Sequence, residues 1–168
     1  AQNTKAVTAI YPIPNDVVTG QIKAVLDDIQ IDAIKIGMLG TPSLIKAVAD
    51  ALIGYTGPIV LDPVMVAKSG ATLLADSAIE ALKSFLFERA TMLTPNLPEA
   101  AKLVGEGSPG AQAQALIQLG IDAVLMKGGH ADGEICVDHL VSQTGTKDFS
   151  APRVDTLNTH GTGCTLSA

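Results

Sequence analysis

The sequence predicts an α/β fold with a mostly parallel central sheet, helices on both faces, and an antiparallel edge pair near residues 133–150. Two observations support this fold class. Segments with helical spacing of apolar residues alternate along the chain with short aliphatic runs that are typical of buried parallel strands. The composition agrees, because 47% of the 168 residues are hydrophobic and only 3% are aromatic. The core must therefore consist mainly of Ala, Val, Ile and Leu.

The predicted helices begin at recognisable signals. Residues 14–29 carry apolar side chains at helical spacing, and we interpret Asn15 as the N-cap. Residues 41–55 start with Thr41 as N-cap and Pro42 at the first helical position, where its missing N–H is tolerated. The same periodicity predicts further helices over 75–90, 98–104 and 111–120, the last of which ends on a glycine.

The predicted strands are the aliphatic runs between these helices, over residues 33–39, 57–65, 91–96 and 122–129. The second of them breaks at Asp62 and Pro63. Residues 134–142 and 146–152 alternate enough to indicate an antiparallel pair. Strand and helix thus alternate through most of the chain, which favours right-handed parallel crossovers.

Charge and cysteine content exclude several function classes. The formal net charge is −6, so the chain offers no basic patch for nucleic acid. No apolar run approaches the roughly 20 residues that a membrane span requires. Cys136 and Cys164 lie far apart, which predicts a reduced, cytoplasmic protein. The three histidines, His130, His139 and His160, are not clustered and indicate no zinc site.

One glycine motif is misleading. Gly105 to Gly110 reads GEGSPG, which fits the G-x-G-x-x-G pattern of dinucleotide-binding turns. It follows a predicted helix rather than a strand, and it carries a proline where the next helix should open. Because the pattern requires strand, turn and helix in that order, we reject it as a nucleotide site.

Polar residues follow the predicted strands at the edge where open α/β sheets bind ligands. Lys127 follows a buried run and precedes two glycines, which suits a phosphate site or a lysine that extends to solvent before a turn. Asp62 is either a turn residue or a carboxylate near a metal or a substrate hydroxyl. Asn96 and Glu99 form a capping-box pattern, and Glu99 is alternatively a ligand of nucleotide-bound Mg²⁺, directly or through water.

The C-terminal segment combines a glycine-rich turn with a cysteine. Gly161, Thr162 and Gly163 can present successive backbone N–H groups to an anion, and a helix that starts near Cys164 adds its positive end. The same field favours the thiolate form of a cysteine, so Cys164 could accept a proton from a substrate hydroxyl. The alternatives are a plain turn with a buried, inert cysteine, or a nucleophile pair of Cys164 with His160 that lacks an orienting third residue.

Five segments in the right order resemble the hydroxymethylpyrimidine/phosphomethylpyrimidine kinase family of bacterial thiamine biosynthesis, in the ribokinase-like superfamily. They are KIGMLG, VLDPVMVAKSGATLL, LTPNLPEA, VLMKGGH and NTHGTGCTLSA. AQNT at the start is similar as well. The resemblance implies two successive phosphorylations by Mg-ATP, first of 4-amino-5-hydroxymethyl-2-methylpyrimidine and then of its monophosphate.

The resemblance also implies residue roles. Cys164 would be the catalytic base, and residues 161–163 would form the anion hole. The pyrimidine pocket would be lined by Gln2, Met38 and Val64. The nucleotide side would use Lys127 for the ATP phosphates, with Asn96, Glu99 and Asp62 in the Mg-phosphate region.

Nothing in the chain matches the family's Gly-rich N-terminal segment or its C-terminal helices. We therefore expect residues 1–168 to form the central part of a single ribokinase-like kinase domain. The family resemblance implies a homodimer that binds a small pyrimidine, while the net charge and the lack of a long apolar run argue against nucleic-acid and membrane partners. Pyridoxal kinase and hydroxyethylthiazole kinase activities remain alternatives within the superfamily. A non-catalytic pyrimidine-binding module is the alternative outside it.

Overall fold

The computed structural model describes residues 1, 3, 7–65, 74–130, 133–156 and 161–168, with only the backbone described at residue 130. Its strands are β1 (Ile34–Ile36), β2 (Ile59–Leu61), β3 (Met92–Leu93), β4 (Ala123–Met126), β5 (Ile135–Ser142) and β6 (Gly145–Pro152). Its α-helices are α1 (Asn15–Leu26), α2 (Pro42–Ala51), α3 (Asp76–Phe85), α4 (Leu97–Val104), α5 (Pro109–Gln118) and α6 (Thr162–Leu166). Short 3₁₀ turns cover Phe87–Arg89 and Gly128–His130.

The strands form one sheet in the order β1-β2-β3-β4-β5-β6. Strands β1 to β4 are parallel to one another, whereas β5 pairs antiparallel with both β4 and β6. The predicted α/β class, the mostly parallel sheet and the antiparallel pair are confirmed. Because β1 to β4 are parallel and adjacent, their carboxyl ends lie along one edge of the sheet.

The register of the strands separates the two faces of the sheet. One row of paired residues is buried and crosses the sheet from β1 to β5: Ile36, Leu61, Leu93, Val124 and Val141. The adjacent row points to the other face, where the lysine is exposed and the remaining members are half-buried: Lys35, Val60, Met92 and Ala123. Burial therefore alternates along strands whose sequences are continuously aliphatic.

The first residues of α1 and α2 show whether the predicted N-caps are correct. Thr41 is the N-cap of α2, where its hydroxyl accepts a hydrogen bond from the Leu44 N–H at 3.2 Å. The interpretation of Asn15 as N-cap is wrong, since Pro14 occupies that position with extended backbone angles and Asn15 is the first helical residue. A side chain inside the helix faces away from the free N–H groups of the first turn, so Asn15 makes no cap.

The rejected glycine motif connects two helices. It begins after α4 ends at Val104, and α5 starts at Pro109 with Ser108 as its N-cap. The rejection therefore holds because no strand precedes the motif. Its proline is no obstacle to a helix, because Pro109 occupies the first helical position.

The first three helices contact one another in chain order, and α4 contacts α5. α1 contacts α2, and α2 contacts α3. α1 has no fully buried residue, but Val18, Ile22 and Leu26 pack against the core from one side of it. Within the described part of the chain, no helix has the length and apolar character needed to cross a membrane.

Candidate functional site

The backbone hydrogen bonds of the sheet continue past the last residues of three strands. The Asp62 N–H donates to the Ile36 carbonyl at 2.8 Å, and the Thr94 N–H donates to Leu61 at 3.0 Å. The Lys127 N–H donates to the Pro95 carbonyl at 2.8 Å. These bonds fix the first residue after β2, β3 and β4 at the carboxyl edge, which is where ligands bind in open α/β sheets.

Asp62 is the centre of the polar cluster at this edge. Asp62 is only 1% exposed. Its Oδ1 lies 2.9 Å from the Lys127 ammonium and accepts a hydrogen bond from the Thr94 hydroxyl at 3.3 Å. Its Oδ2 accepts from the Ser167 hydroxyl at 3.2 Å. A buried carboxylate requires such compensation, because removing one partner of a buried charge leaves the other unpaired.

Glu99 belongs to the same cluster and caps α4. The Asn96 side chain accepts from the Glu99 N–H at 2.9 Å, and Glu99 Oε2 accepts from the Asn96 N–H at 2.8 Å. The predicted capping box is thus confirmed. The same Oε2 lies 3.9 Å from the Lys127 ammonium, so the cap residue faces the charged cluster.

The Glu99 carboxyl is desolvated. Burial raises its pKa above the ordinary value of 4.5, and the nearby Asp62 charge raises it further. The Asn96 N–H and the Lys127 ammonium favour the ionised form and partly oppose this rise. Among the residues that the structure describes, the cluster thus contains two buried carboxyl groups beside one ammonium group.

The glycine-rich turn meets this cluster from the C-terminal side. Gly161 has φ +79° and is the N-cap of α6, so the helix begins at Thr162 rather than at Cys164. A side chain at Gly163 would place its Cβ 3.4 Å from the Lys127 ammonium. Cys164 is exposed in α6, which excludes the buried, inert cysteine. His160 lies outside the described residues.

The residues expected around the pyrimidine are less fully described. Met38 follows β1 and is 43% exposed, and Val64 follows β2 and is half-buried. Both lie just past strands that end at the edge carrying Asp62 and Lys127. Gln2 lies outside the described residues.

The turn after Lys127 is held by the β5–β6 hairpin. The Gly128 N–H donates to Asp138 Oδ1 at 2.7 Å. The Arg153 guanidinium donates to the carbonyl oxygens of Gly129 at 3.0 Å and Gly133 at 2.7 Å. Gly128 lies so close to β5 that a Cβ on it would be 1.9 Å from the Val137 carbonyl oxygen. Only glycine fits this approach without moving the strand.

Three residues of the site were not found by sequence reasoning: Thr94, Asp138 and Ser167. Each bonds to a residue distant in sequence. Thr94 lies inside the predicted strand over 91–96, so the sequence did not mark it as an edge residue. Asp138 lies within a strand and Ser167 within an apolar segment, so neither had a local signal.

A metal at this edge would have few protein ligands. Among the described residues, no group of three or more His, Cys, Asp or Glu side chains could hold a metal ion. The carboxylates of Asp62 and Glu99 are the acidic groups that face Lys127. Two carboxylates suit a Mg²⁺ ion that takes its other ligands from phosphates and water.

Known proteins match the chain along its length. A family model described as phosphomethylpyrimidine kinase matches residues 1–168. A hydroxymethylpyrimidine/phosphomethylpyrimidine kinase of Salmonella typhimurium is 48% identical over 175 residues, which cover 100% of this chain and 66% of that relative. The chain therefore spans just under two thirds of the length of this relative.

Solved structures share the fold. A crystal structure of phosphomethylpyrimidine kinase from Clostridium difficile superposes with a TM-score of 0.80 at 40% identity, over 88% of this chain and 66% of that one. An ADP complex of Bacillus subtilis pyridoxal kinase superposes with a TM-score of 0.85 at 33% identity, over 94% of this chain and 62% of that one.

We predict that Gly128→Ala lowers the free energy of unfolding of the full-length protein by about 1–3 kcal/mol, since the new methyl group must displace β5. Gly129→Ala is the matched control, because its Cβ would meet nothing within 4 Å. The control should change stability by about 0.5 kcal/mol or less. Urea unfolding of both variants measures the difference. Equal losses would contradict the close approach of Gly128 to Val137.

We also predict that the stability advantage of Glu99→Gln over the natural protein grows as pH rises above about 4.5. The raised pKa of Glu99 means that the folded state binds its proton more tightly than the unfolded state does. Its contribution is therefore fully present below the unfolded value and is lost as pH rises through the folded value. Glutamine carries no such dependence.

The measurement is urea unfolding of the full-length protein across this pH range, with a chelator to remove divalent cations. Glu106→Gln is the control, because Glu106 is exposed. Its stability difference from the natural protein should change less with pH than that of Glu99→Gln. A Glu99→Gln advantage that shrinks as pH rises would show that the folded protein favours the ionised carboxylate.

Proposed function

The chain belongs to the phosphomethylpyrimidine kinase family, and from this premise we propose that the full-length protein phosphorylates 4-amino-5-hydroxymethyl-2-methylpyrimidine and then its monophosphate, with ATP as the donor. Residues 1–168 would be the central part of one kinase domain. The observation that carries the proposal is the approach of Lys127 to the glycine-rich turn at the carboxyl edge of the sheet. That arrangement offers a cation and open backbone to the same anion.

The proposed reaction transfers one phosphoryl group per step. A bond forms between the substrate hydroxyl oxygen and the γ-phosphorus, and the bond from that phosphorus to the β,γ-bridging oxygen breaks. ADP leaves, and the hydroxyl proton passes to the Cys164 thiolate and then to solvent. The exposure of Cys164 at the start of α6 supports this role, since a substrate can reach its sulfur.

In this proposal Lys127 and residues 161–163 bind the transferring phosphate. Phosphoryl transfer depends on positioning and charge stabilisation rather than on covalent catalysis. Glycine at position 163 supports the assignment, because a side chain there would crowd the Lys127 ammonium at 3.4 Å. Without that side chain, the ammonium and the turn can contact one phosphate together.

We further propose that Asp62 and Glu99 hold Mg²⁺, directly or through water, with Asn96 beside them in the phosphate region. The donor set fits, since Mg²⁺ is commonly bound by one or two carboxylates together with substrate phosphates. The ion would neutralise phosphate charge when bound. Within the described part of the cluster, carboxyl groups outnumber ammonium groups, which supports the assignment.

The remaining parts of the proposal concern the substrate side and the assembly. Gln2, Met38 and Val64 would line the pyrimidine pocket, and the protein would be a cytoplasmic homodimer without nucleic-acid partners. The family resemblance supports the pocket and the dimer. The net charge of −6 supports the absence of nucleic acid.

Pyridoxal kinase activity is the second candidate. The structural similarity to the Bacillus subtilis pyridoxal kinase favours it, because that protein is an ADP-binding kinase with the same arrangement of elements. Both substrates carry a hydroxymethyl group on a six-membered aromatic ring. The two activities therefore require the same phosphate chemistry and differ in the pocket.

We predict that the full-length protein consumes ATP with 4-amino-5-hydroxymethyl-2-methylpyrimidine and releases a product carrying two phosphates. Pyridoxal and hydroxyethylthiazole are tested in parallel by ADP release and mass spectrometry of the products. Turnover with pyridoxal alone would favour the second candidate. If no alcohol is phosphorylated while the pyrimidine still raises Tm, the protein is a binding module and the kinase proposal is wrong.

For the proposed base, Cys164→Ala should lower kcat by about 10²–10⁴-fold, the usual contribution of a general base. The dissociation constant of the pyrimidine should stay within about twofold, because a general base accepts the hydroxyl proton during phosphoryl transfer and contributes little to substrate binding. Cys136→Ala is the matched control, since Cys136 is the other free cysteine and lies in β5 rather than in the turn, and it should keep natural turnover. Unchanged turnover of Cys164→Ala would remove this residue from the mechanism.

A further inference from the structure

Ser167 is buried at the C-terminal end of α6, with only 4% of its surface exposed. Its hydroxyl oxygen lies 3.2 Å from Asp62 Oδ2 and 3.1 Å from the Cys164 carbonyl oxygen. A serine hydroxyl has one proton, so these two oxygens compete for it. The carboxylate is the stronger acceptor because it is ionised and shielded from water.

The two oxygens of Asp62 have different partners. Oδ1 faces the Lys127 ammonium and the Thr94 hydroxyl, and Oδ2 faces Ser167. A carboxylate can rotate about its bond to Cβ unless both oxygens are held. The Ser167 hydroxyl therefore holds the orientation in which Oδ1 meets Lys127.

The same hydrogen bond connects two parts of the site that are far apart in sequence. Asp62 follows β2, whereas Ser167 ends the short helix that contains Cys164. The positions of Cys164 and of the Lys127 ammonium therefore depend on one shared carboxylate.

We propose that Ser167 is a positioning residue, whose hydroxyl sets the orientation of Asp62 and thereby the geometry between Lys127 and the turn that carries Cys164. The inference rests on the proposed kinase function and extends it to a residue that does not touch the substrate. It acts through Asp62 on the phosphate-binding ammonium, and through α6 on the thiol.

The primary test is steady-state kinetics of Ser167→Ala in the full-length protein. We expect kcat to fall about 10- to 100-fold, since a buried hydrogen bond to a charged group is lost, while KM for the pyrimidine stays within about twofold. Ser84→Ala is the matched control. Ser84 is an exposed helical serine that also donates to a backbone carbonyl, that of Glu80 at 2.8 Å, rather than to a charged side chain.

A double-mutant cycle separates positioning from a general loss of packing. In an Asp62→Asn background, Ser167→Ala should lower kcat by less than about threefold further, because the carboxylate that it orients is already gone. Ser167→Thr keeps the hydroxyl and should recover most of the turnover. Independent, multiplicative losses from the two substitutions would overturn the proposal, as would natural kcat in Ser167→Ala.

The kinase function and the role of Ser167 fail in different ways. If the natural protein phosphorylates none of the three alcohols, the proposed function is wrong and the inference fails with it. If the natural protein is active and Ser167→Ala matches it, only the inference is wrong. Tm of each variant is measured alongside, and a drop in kcat that follows Tm across all variants would assign Ser167 a purely structural role.

Discussion

The contact between the Lys127 ammonium and the Asp62 carboxylate, 2.9 Å apart and almost fully buried, is the interaction on which the site depends. Breaking a buried ion pair on one side is costly, since the remaining charge has no water to compensate it. The surrounding structure keeps both partners in place. The parallel sheet places the carboxyl ends of β2 and β4, and with them Asp62 and Lys127, at the same edge. Gly128 allows the turn after Lys127 to lie against β5.

Local signals in the sequence predicted those features that depend on neighbouring residues. Thr41 and the Asn96–Glu99 box act within one turn of their helices, so spacing alone identified them. The strand ends with Asp62 and Lys127 were predictable because aliphatic runs stop at a charged residue. The same reasoning gave the wrong N-cap at Asn15. The N-cap is the last residue with non-helical backbone angles, and in α1 that residue is Pro14.

Features that depend on the register could not be predicted in this way. The bond from Ser167 to Asp62 spans 105 residues, and no spacing rule relates the two positions. The difference between the two faces of the sheet was hidden as well. The aliphatic run around β2 looks uniform in sequence, but Leu61 is fully buried and Val60 is only half-buried. Sequence therefore indicated which residues lie at the edge, and the fold decided which of them touch.

The charges at the edge indicate what kind of ligand would complete the site. Among the described residues, the Lys127 ammonium faces two carboxyl groups, and burial together with the Asp62 charge raises the pKa of Glu99. An anion alone would add negative charge to a cluster in which the described carboxyl groups outnumber the described ammonium group, and a cation alone would use only the carboxylates. A phosphate group that arrives with a divalent cation satisfies both requirements, because the ion compensates the carboxylates while the turn and the ammonium contact the phosphate. A magnesium nucleotide has this composition, so the charge balance among the described residues supports the proposed donor for phosphoryl transfer.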